Sequence, residues 1–294
     1  MKSRNQYQQE RERMARKAEQ QMRSKLRGMQ ARLWAAIEGV IGDLGTDAGG
    51  NIRFSVGNIS STDKVGTTIA AFNKRENRTF LSWMFKRLTT LFTLNRKYFE
   101  AQGMSQEAVD KRVLRRVMLR YGFDTRTGRV LQNGYLAEVI TNTQLAADIS
   151  RRINDAIAAK VPLGQFRQTF RQDFVGSQGV GMLEGHYLRF TNDLFQEFDR
   201  TVQLDYKENL GLDYAVYSGT VMKFTRPFCE ARNNNVYKSS TIEEWNSQEW
   251  KGKIPGKDVA IQCGGYNCRH HLNWITEELA NRLAKSRGGI DKYN

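Results

Sequence analysis

Residues 213–229 read Asp213-Tyr-Ala-Val-Tyr-Ser-Gly219-Thr-Val-Met-Lys-Phe-Thr225-Arg226-Pro227-Phe-Cys229, and residues 259–274 read Val259-Ala-Ile-Gln-Cys263-Gly-Gly-Tyr-Asn267-Cys268-Arg269-His270-His-Leu-Asn-Trp274. From Asp213 the apolar pattern changes to short β-prone runs, and Asp213–Ser218 reads as a strand entering a turn at Gly219. Ser240-Thr-Ile-Glu243 has capping-box spacing and predicts a short helix through Trp245. The runs 259–263 and 269–274 are both β-prone. A small α+β module over 211–276 follows from this reading.

Upstream, the periodicity is helical. Residues 5–42 predict one helix from their Gln, Glu, Arg, Lys, Met and Ala content, with apolar residues thickening only from Leu26 to Ile41. Its first half shows no continuous apolar stripe, so residues 1–42 are expected to form a basic arm that needs a partner. The Gly, Ser, Thr and Asn of residues 43–73 predict a linker or irregular segment. Residues 74–210 predict a helical domain. Within it, Met84, Phe85, Leu88, Leu91, Phe92 and Phe99 share one face, and Val109, Val113 and Val117 recur at four-residue spacing. A long stalk helix is expected over about 182–210, with Leu183, Tyr187, Phe190, Leu194, Phe198 and Val202 on its stripe and Gly211 as its stop. Residues 277–294 read as a helix ending in a Gly-Gly tail. The fold class is therefore mainly α, with an elongated helical N-terminal part and a small α+β C-terminal module.

The chain of 294 residues carries a net charge of +15, unevenly spread. Residues 1–35 hold ten Lys and Arg against three Glu, and residues 111–129 hold seven against one Asp. The module 211–276 is nearly balanced, with eight basic and six acidic residues, so the charge lies apart from the cysteines and histidines. Lys111, Arg112, Arg115, Arg116 and Arg120 suit either double-stranded DNA, where each neutralised phosphate releases counterion, or an acidic protein surface. No run reaches the roughly 18 apolar residues of a membrane span, and the polar, basic N-terminus predicts no secretory signal.

All three cysteines and two of the three histidines fall between residues 217 and 275. Cys229, Cys263, Cys268 and His270 or His271 supply the ligand types of a Cys₃His zinc site. Free cysteines are also commonly buried without special chemistry. Two readings therefore stand: one zinc ion, or no cofactor and a buried hydrogen-bonded knot. Arg226 and Arg269 are expected to brace backbone carbonyls or a carboxylate such as Glu230. Thr225 is expected to cap a helix with Pro227 at its first position. His186 reads as a partly exposed helix residue. Gly176–Gly181 lacks the Lys-Ser/Thr of a phosphate loop and reads as a joint. No HExxH, GxSxG or Walker motif occurs.

The order Tyr-x-Gly-Thr (217–220), Thr225-Arg226-Pro227-x-Cys229, Val236-Tyr237, Trp245 and Asn267-Cys268-Arg269-His270 resembles the C-terminal module of the phage Mu F-like head morphogenesis proteins, the minor head proteins of tailed phages. The resemblance covers roughly the last third of the chain. It implies a non-enzymatic role in head assembly, in the virion at the capsid interior or portal vertex, with the portal protein and other head proteins as partners. It carries Thr225, Arg226, Pro227, Cys229, Tyr237, Asn267, Cys268, Arg269 and His270 over as the structural motif; Cys263 has no place in it. Such modules also occur fused to effector domains, so a metal-dependent nuclease or toxin-like effector is the alternative.

Overall fold

The computed structural model describes residues 2–292 apart from 105, 177, 178, 192 and 287, with the side chains of 138, 140 and 190 also left out. The protein is mainly α-helical, with a small three-stranded antiparallel sheet near its C-terminus. In chain order the helices before the sheet are α1 (Arg4–Gly42), α2 (Val56–Ser61), α3 (Asp63–Phe72), α4 (Arg78–Glu100), α5 (Glu107–Arg120), α6 (Ala137–Thr141), α7 (Thr143–Ala158), α8 (Leu163–Val175), α9 (Met182–Thr191) and α10 (Leu194–Leu210). There follow β1 (Tyr214–Gly219), α11 (Pro227–Glu230), β2 (Val236–Lys238), α12 (Ser239–Glu244), α13 (Val259–Gln262), β3 (His270–Ile275) and α14 (Glu277–Ser286). Among the described residues no helix is long and apolar enough to cross a membrane.

These elements form two compact units, and neither is a consecutive stretch of chain. One comprises Met1–Glu19, Lys86–Tyr121 and Asp193–Asn294, and the other comprises Gln20–Phe85 and Gly122–Asn192. The division into consecutive segments expected from composition differs from this, because α1 and α4 each contribute residues to both units.

In the second unit Met22, Leu26, Met29, Leu33, Trp34 and Ile37 of α1 are buried, as are Phe170 and Phe174 of α8. Trp34 meets Phe174 at 5.4 Å and Phe170 at 5.9 Å between ring centroids. Residues 43–73 are not the irregular linker their composition suggests. Ser55 caps α2 by accepting from the Asn58 N–H, and Val65, Ile69 and Phe72 put an apolar face of α3 into the core. Asn58 is itself buried, donating to the carbonyls of Gly45 and Arg53 and accepting from the Gly45 N–H. The turn residues thus staple a loop, and the polarity reflects backbone satisfaction, not looseness. His186 is buried on α9, against the partial exposure expected of it. The expected joint at 176–181 falls partly on residues outside the described ones, 177 and 178.

The first unit holds the sheet, in the order β2-β1-β3. Val216 of β1 pairs with Val236 of β2 and with Asn273 of β3, and Gly219 pairs with His270. All six residues of β3 are buried, so both of its faces are covered. α10 packs on β3, and α14 lies against β1 and β2. The stalk helix expected over 182–210 is two helices, α9 and α10, and Asp193 between them has left-handed backbone at φ 57°. The run 259–263, read as β-prone, is the short helix α13, capped by the Asp258 carboxylate on the Ala260 N–H. One capped turn outweighs the β preference of Val and Ile in so short a run.

The basic arm does not stand apart. Tyr7, Arg11, Ala15 and Ala18 of α1 are buried in the first unit, on one helical face at three- and four-residue steps. The stripe exists, but two alanines and an arginine occupy positions where the pattern calls for large apolar residues.

Candidate functional site

Cys229 lies in α11, whose start is set by Pro227 at its first turn. Arg226, not Thr225, is the N-cap residue, and the Thr225 hydroxyl accepts instead from the Met222 N–H. His270 opens β3, and Cys268 lies two residues before it, in the loop that leaves α13. The fold brings the three together: Cys229 Sγ is 3.8 Å from Cys268 Sγ, and Cys268 Sγ is 3.8 Å from His270 Nδ1. The donor atoms of all three lie within 4.8 Å of one another, and all three residues are buried. Cys263 is buried too but is not part of this group. It occupies a strained position at φ 49° and ψ −115°, and burial pushes its thiol up to about 12 against the opposing Arg200 charge. The four-ligand set expected from the sequence is therefore reduced to three.

The surroundings of the cysteine pair are polar and ordered. Cys268 Sγ accepts from the Gly264 N–H at 3.2 Å and from the His270 N–H at 3.4 Å. The Tyr217 hydroxyl donates to Cys229 Sγ at 3.2 Å, and its ring stacks on the His270 imidazole. The close approach of the two sulfurs, above all, holds the Cys268 thiol well below the usual range and raises that of Cys229. Glycines make the approach sterically feasible. A Cβ on Gly264 would fall 2.1 Å from Cys229 Sγ, and one on Gly219 would fall 2.7 Å from the His270 ring.

Arg200 of α10, which by pattern is one more helix residue, organises this loop. It is buried, and its guanidinium donates to the carbonyls of His270, Ile261, Gln262 and Cys268. Arg226 plays a smaller version of the same part on the surface, donating to the carbonyls of Lys251 and Tyr266. That agrees with the bracing role expected of it, with carbonyls and not Glu230 as its targets. Asn267 has φ 57° and its N–H donates to the Asp193 carboxylate at 2.7 Å. Tyr237 packs edge-on against Trp245 and donates to the Lys292 carbonyl. Arg269 reaches the Met222 sulfur at 3.4 Å and is exposed.

Behind the cysteines runs a buried polar network that the sequence pattern does not reveal. Arg11 Nε is 3.1 Å from Asp199, and its guanidinium also donates to Asn95 and Asn273. His271 Nδ1 is 2.9 Å from the other Asp199 oxygen. Asn95 donates to Asp199 and accepts from Gln203, whose own oxygen accepts from the Trp274 N–H. Asn273 and Gln8 both donate to Ser218. Burial alone would raise the Asp199 carboxyl, but the Arg11 charge and His271 outweigh it and the net direction is down. Burial lowers His271, with Asp199 opposing. The only sequence signal is a fully β-prone run that contains two histidines and an asparagine.

The basic stripe of α5 is partly neutralised within the unit. Arg116 pairs with Asp205 and Glu208 of α10, and Lys111 pairs with Glu107. Arg112 contacts Asn209 at 3.3 Å, and Arg115 and Arg120 are exposed.

Cys229, Cys268 and His270 line a cleft of about 180 Å³ together with Thr220, Met222, Phe224, Thr225, Arg226, Asn267 and Arg269. Phe224 is 86% exposed at its rim, with Met222 half-exposed. No carboxylate is among the residues that line it. Comparison with protein-family models, with curated proteins and with solved structures finds no match for this chain.

Proposed function

We propose that this chain is a minor head protein of a tailed phage, a non-enzymatic component that acts in head assembly at the portal vertex or capsid interior. The observation that carries the reading is the use to which the motif residues are put. Arg226 braces two carbonyls, Tyr237 holds the C-terminal segment, Asn267 turns the loop, and Cys229, Cys268 and His270 pack into one buried knot. A motif devoted to holding a small module together suits a structural part better than a catalytic one. The resemblance to the Mu F-like module rests on these residues and their order.

Two further features support it. The cleft beside the knot presents Arg226 and Arg269 but no carboxylate and no imidazole other than His270, so a hydrolytic water there would have His270 alone as a base of that kind, without a carboxylate in the lining to orient it. Its rim exposes Phe224 and Met222, and apolar groups clustered on a surface suit a protein contact. The portal protein and other head proteins are the partners in this reading, and packaged double-stranded DNA is a further one for the exposed arginines of α5.

A nuclease assay on the full chain, with and without added divalent metal, tests the enzymatic alternative. A structural role predicts no metal-dependent cleavage above background. Cleavage that is lost in a His270→Ala variant retaining its fold would replace the structural role with the nuclease.

A further inference from the structure

We propose that Cys229, Cys268 and His270 bind a zinc-class divalent ion, with the fourth coordination position facing the cleft. The site stands on geometry and does not depend on the role in head assembly.

Two of the three donor separations match a tetrahedral site, and the third lies within 4.8 Å. Two sulfurs each about 2.3 Å from a tetrahedral ion lie about 3.8 Å apart, and a sulfur and an imidazole nitrogen on it lie about 3.6 Å apart. The corresponding separations here are 3.8 Å between the sulfurs and 3.8 Å from Cys268 Sγ to His270 Nδ1. Two thiols and an imidazole form a soft donor set that selects zinc over magnesium or calcium.

The surrounding groups are those a thiolate ligand needs. A neutral thiol is a weak acceptor, yet Cys268 Sγ receives two backbone N–H groups, from Gly264 and His270. Cys229 Sγ receives the Tyr217 hydroxyl. Outer donors of this kind orient ligands and offset the charge of the anionic sulfurs. The His270 ring is fixed by stacking on Tyr217, with Nδ1 turned toward the Cys268 sulfur. Gly264 has no Cβ where one would collide with Cys229 Sγ, which keeps the space between the sulfurs accessible. On binding, each thiol gives its proton to solvent and the ion takes the two thiolates and the neutral imidazole. Because the three ligands themselves line the cleft, the fourth position opens toward it, where water fits. Cys263 is left out, and this is a specific departure from a four-ligand knuckle.

The test uses the full chain purified under reducing conditions without chelator. About one zinc per chain is expected by elemental analysis. The stripped chain should take up Co²⁺ with thiolate charge-transfer absorption and the intense ligand-field bands of a four-coordinate ion. Cys229→Ser, Cys268→Ser and His270→Ala should each lose stoichiometric uptake, and Cys263→Ser should retain it. A ligand variant that unfolds loses the ion trivially, so the cobalt spectrum of the wild-type chain decides independently. Intensity from two sulfurs supports the site, and a six-coordinate, sulfur-free spectrum overturns it. A folded wild-type chain without stoichiometric metal, a Cys229–Cys268 disulfide in the reduced preparation, or undiminished uptake by folded Cys268→Ser overturns it as well.

Discussion

Arg11, near the start of the chain, and Asp199, two-thirds of the way along it, form a fully buried ion pair with Nε and Oδ1 3.1 Å apart. Two charges withdrawn from water need partners for their other polar atoms; here Asn95 and Asn273 accept from the Arg11 guanidinium, Asn95 donates to Asp199, and His271 Nδ1 lies 2.9 Å from the second Asp199 oxygen. The pair makes residues 4–19 an integral part of the unit that carries the cysteine knot. It replaces the partner-dependent arm that charge alone suggests.

Arg11→Met should therefore destabilise that unit by about 3–5 kcal/mol, since Asp199 is left buried without its main counter-charge. Adding Asp199→Asn should recover part of the loss, and chemical denaturation of the single and double variants measures the coupling. Losses that simply add would count against a direct pair. By the same reasoning, limited proteolysis should spare residues 4–19 in the native chain.

Glu19 gives a pH dependence of known sign. Its carboxylate accepts from the N–H groups of Phe195 and Gln196, but burial first and the Asp193 charge second push its pKa up to about 7. The folded state then holds the proton more tightly than the unfolded state, so its contribution to stability is fully present below about pH 4.5 and is lost as pH rises through about 7. Glu19→Gln should remove that slope and stabilise the protein above pH 7 by at most about 3 kcal/mol. Thermal melts from pH 4 to pH 8 would check it, and an unchanged slope would remove Glu19 as the cause.

Arg200→Met should release the carbonyls of Ile261, Gln262, Cys268 and His270 together. A loss of about 3 kcal/mol or more is expected from charged hydrogen bonds of this number. Hydrogen exchange should accelerate first in residues 261–270. Acceleration spread evenly over the unit would point to general unfolding instead.

The arginines of α5 separate by role. Arg115→Glu and Arg120→Glu should weaken binding to double-stranded DNA, with the salt slope falling by about 0.9 for each phosphate that is no longer neutralised. Arg116→Glu should instead lower stability, because Arg116 faces Asp205 and Glu208. Anisotropy titrations over a range of salt measure the first, and melting temperatures the second. Salt-independent binding would move these residues to a protein partner.

Helices and strands are legible in the sequence where apolar residues recur at a plain period, as in α4, α5, β1 and β3. The core face of α1 is legible only from Leu26 onward. Before it, Tyr7, Arg11, Ala15 and Ala18 keep the period while hiding it, because alanine gives little contrast and a buried arginine reads as surface. Composition raises Cys229, Cys263, Cys268 and His270 together, and only the motif order sets Cys263 apart; the structure leaves it outside the cluster, at a positive-φ turn. Arg200 is invisible to pattern, since its four partners are carbonyls that any sequence would supply. The break at Asp193 is likewise hidden in a stripe that continues across it.

Assembly into a phage head is tested by incorporation. The full chain would be expressed with tailed-phage portal, scaffold and shell proteins from the same genome as the chain, and purified particles would be analysed by quantitative mass spectrometry. A minor head protein is expected inside particles at a fixed ratio to portal, at a level reduced when Cys268 or Arg226 is replaced. Particles assembled without it at undiminished yield, with the chain left wholly in the soluble fraction, would contradict that role.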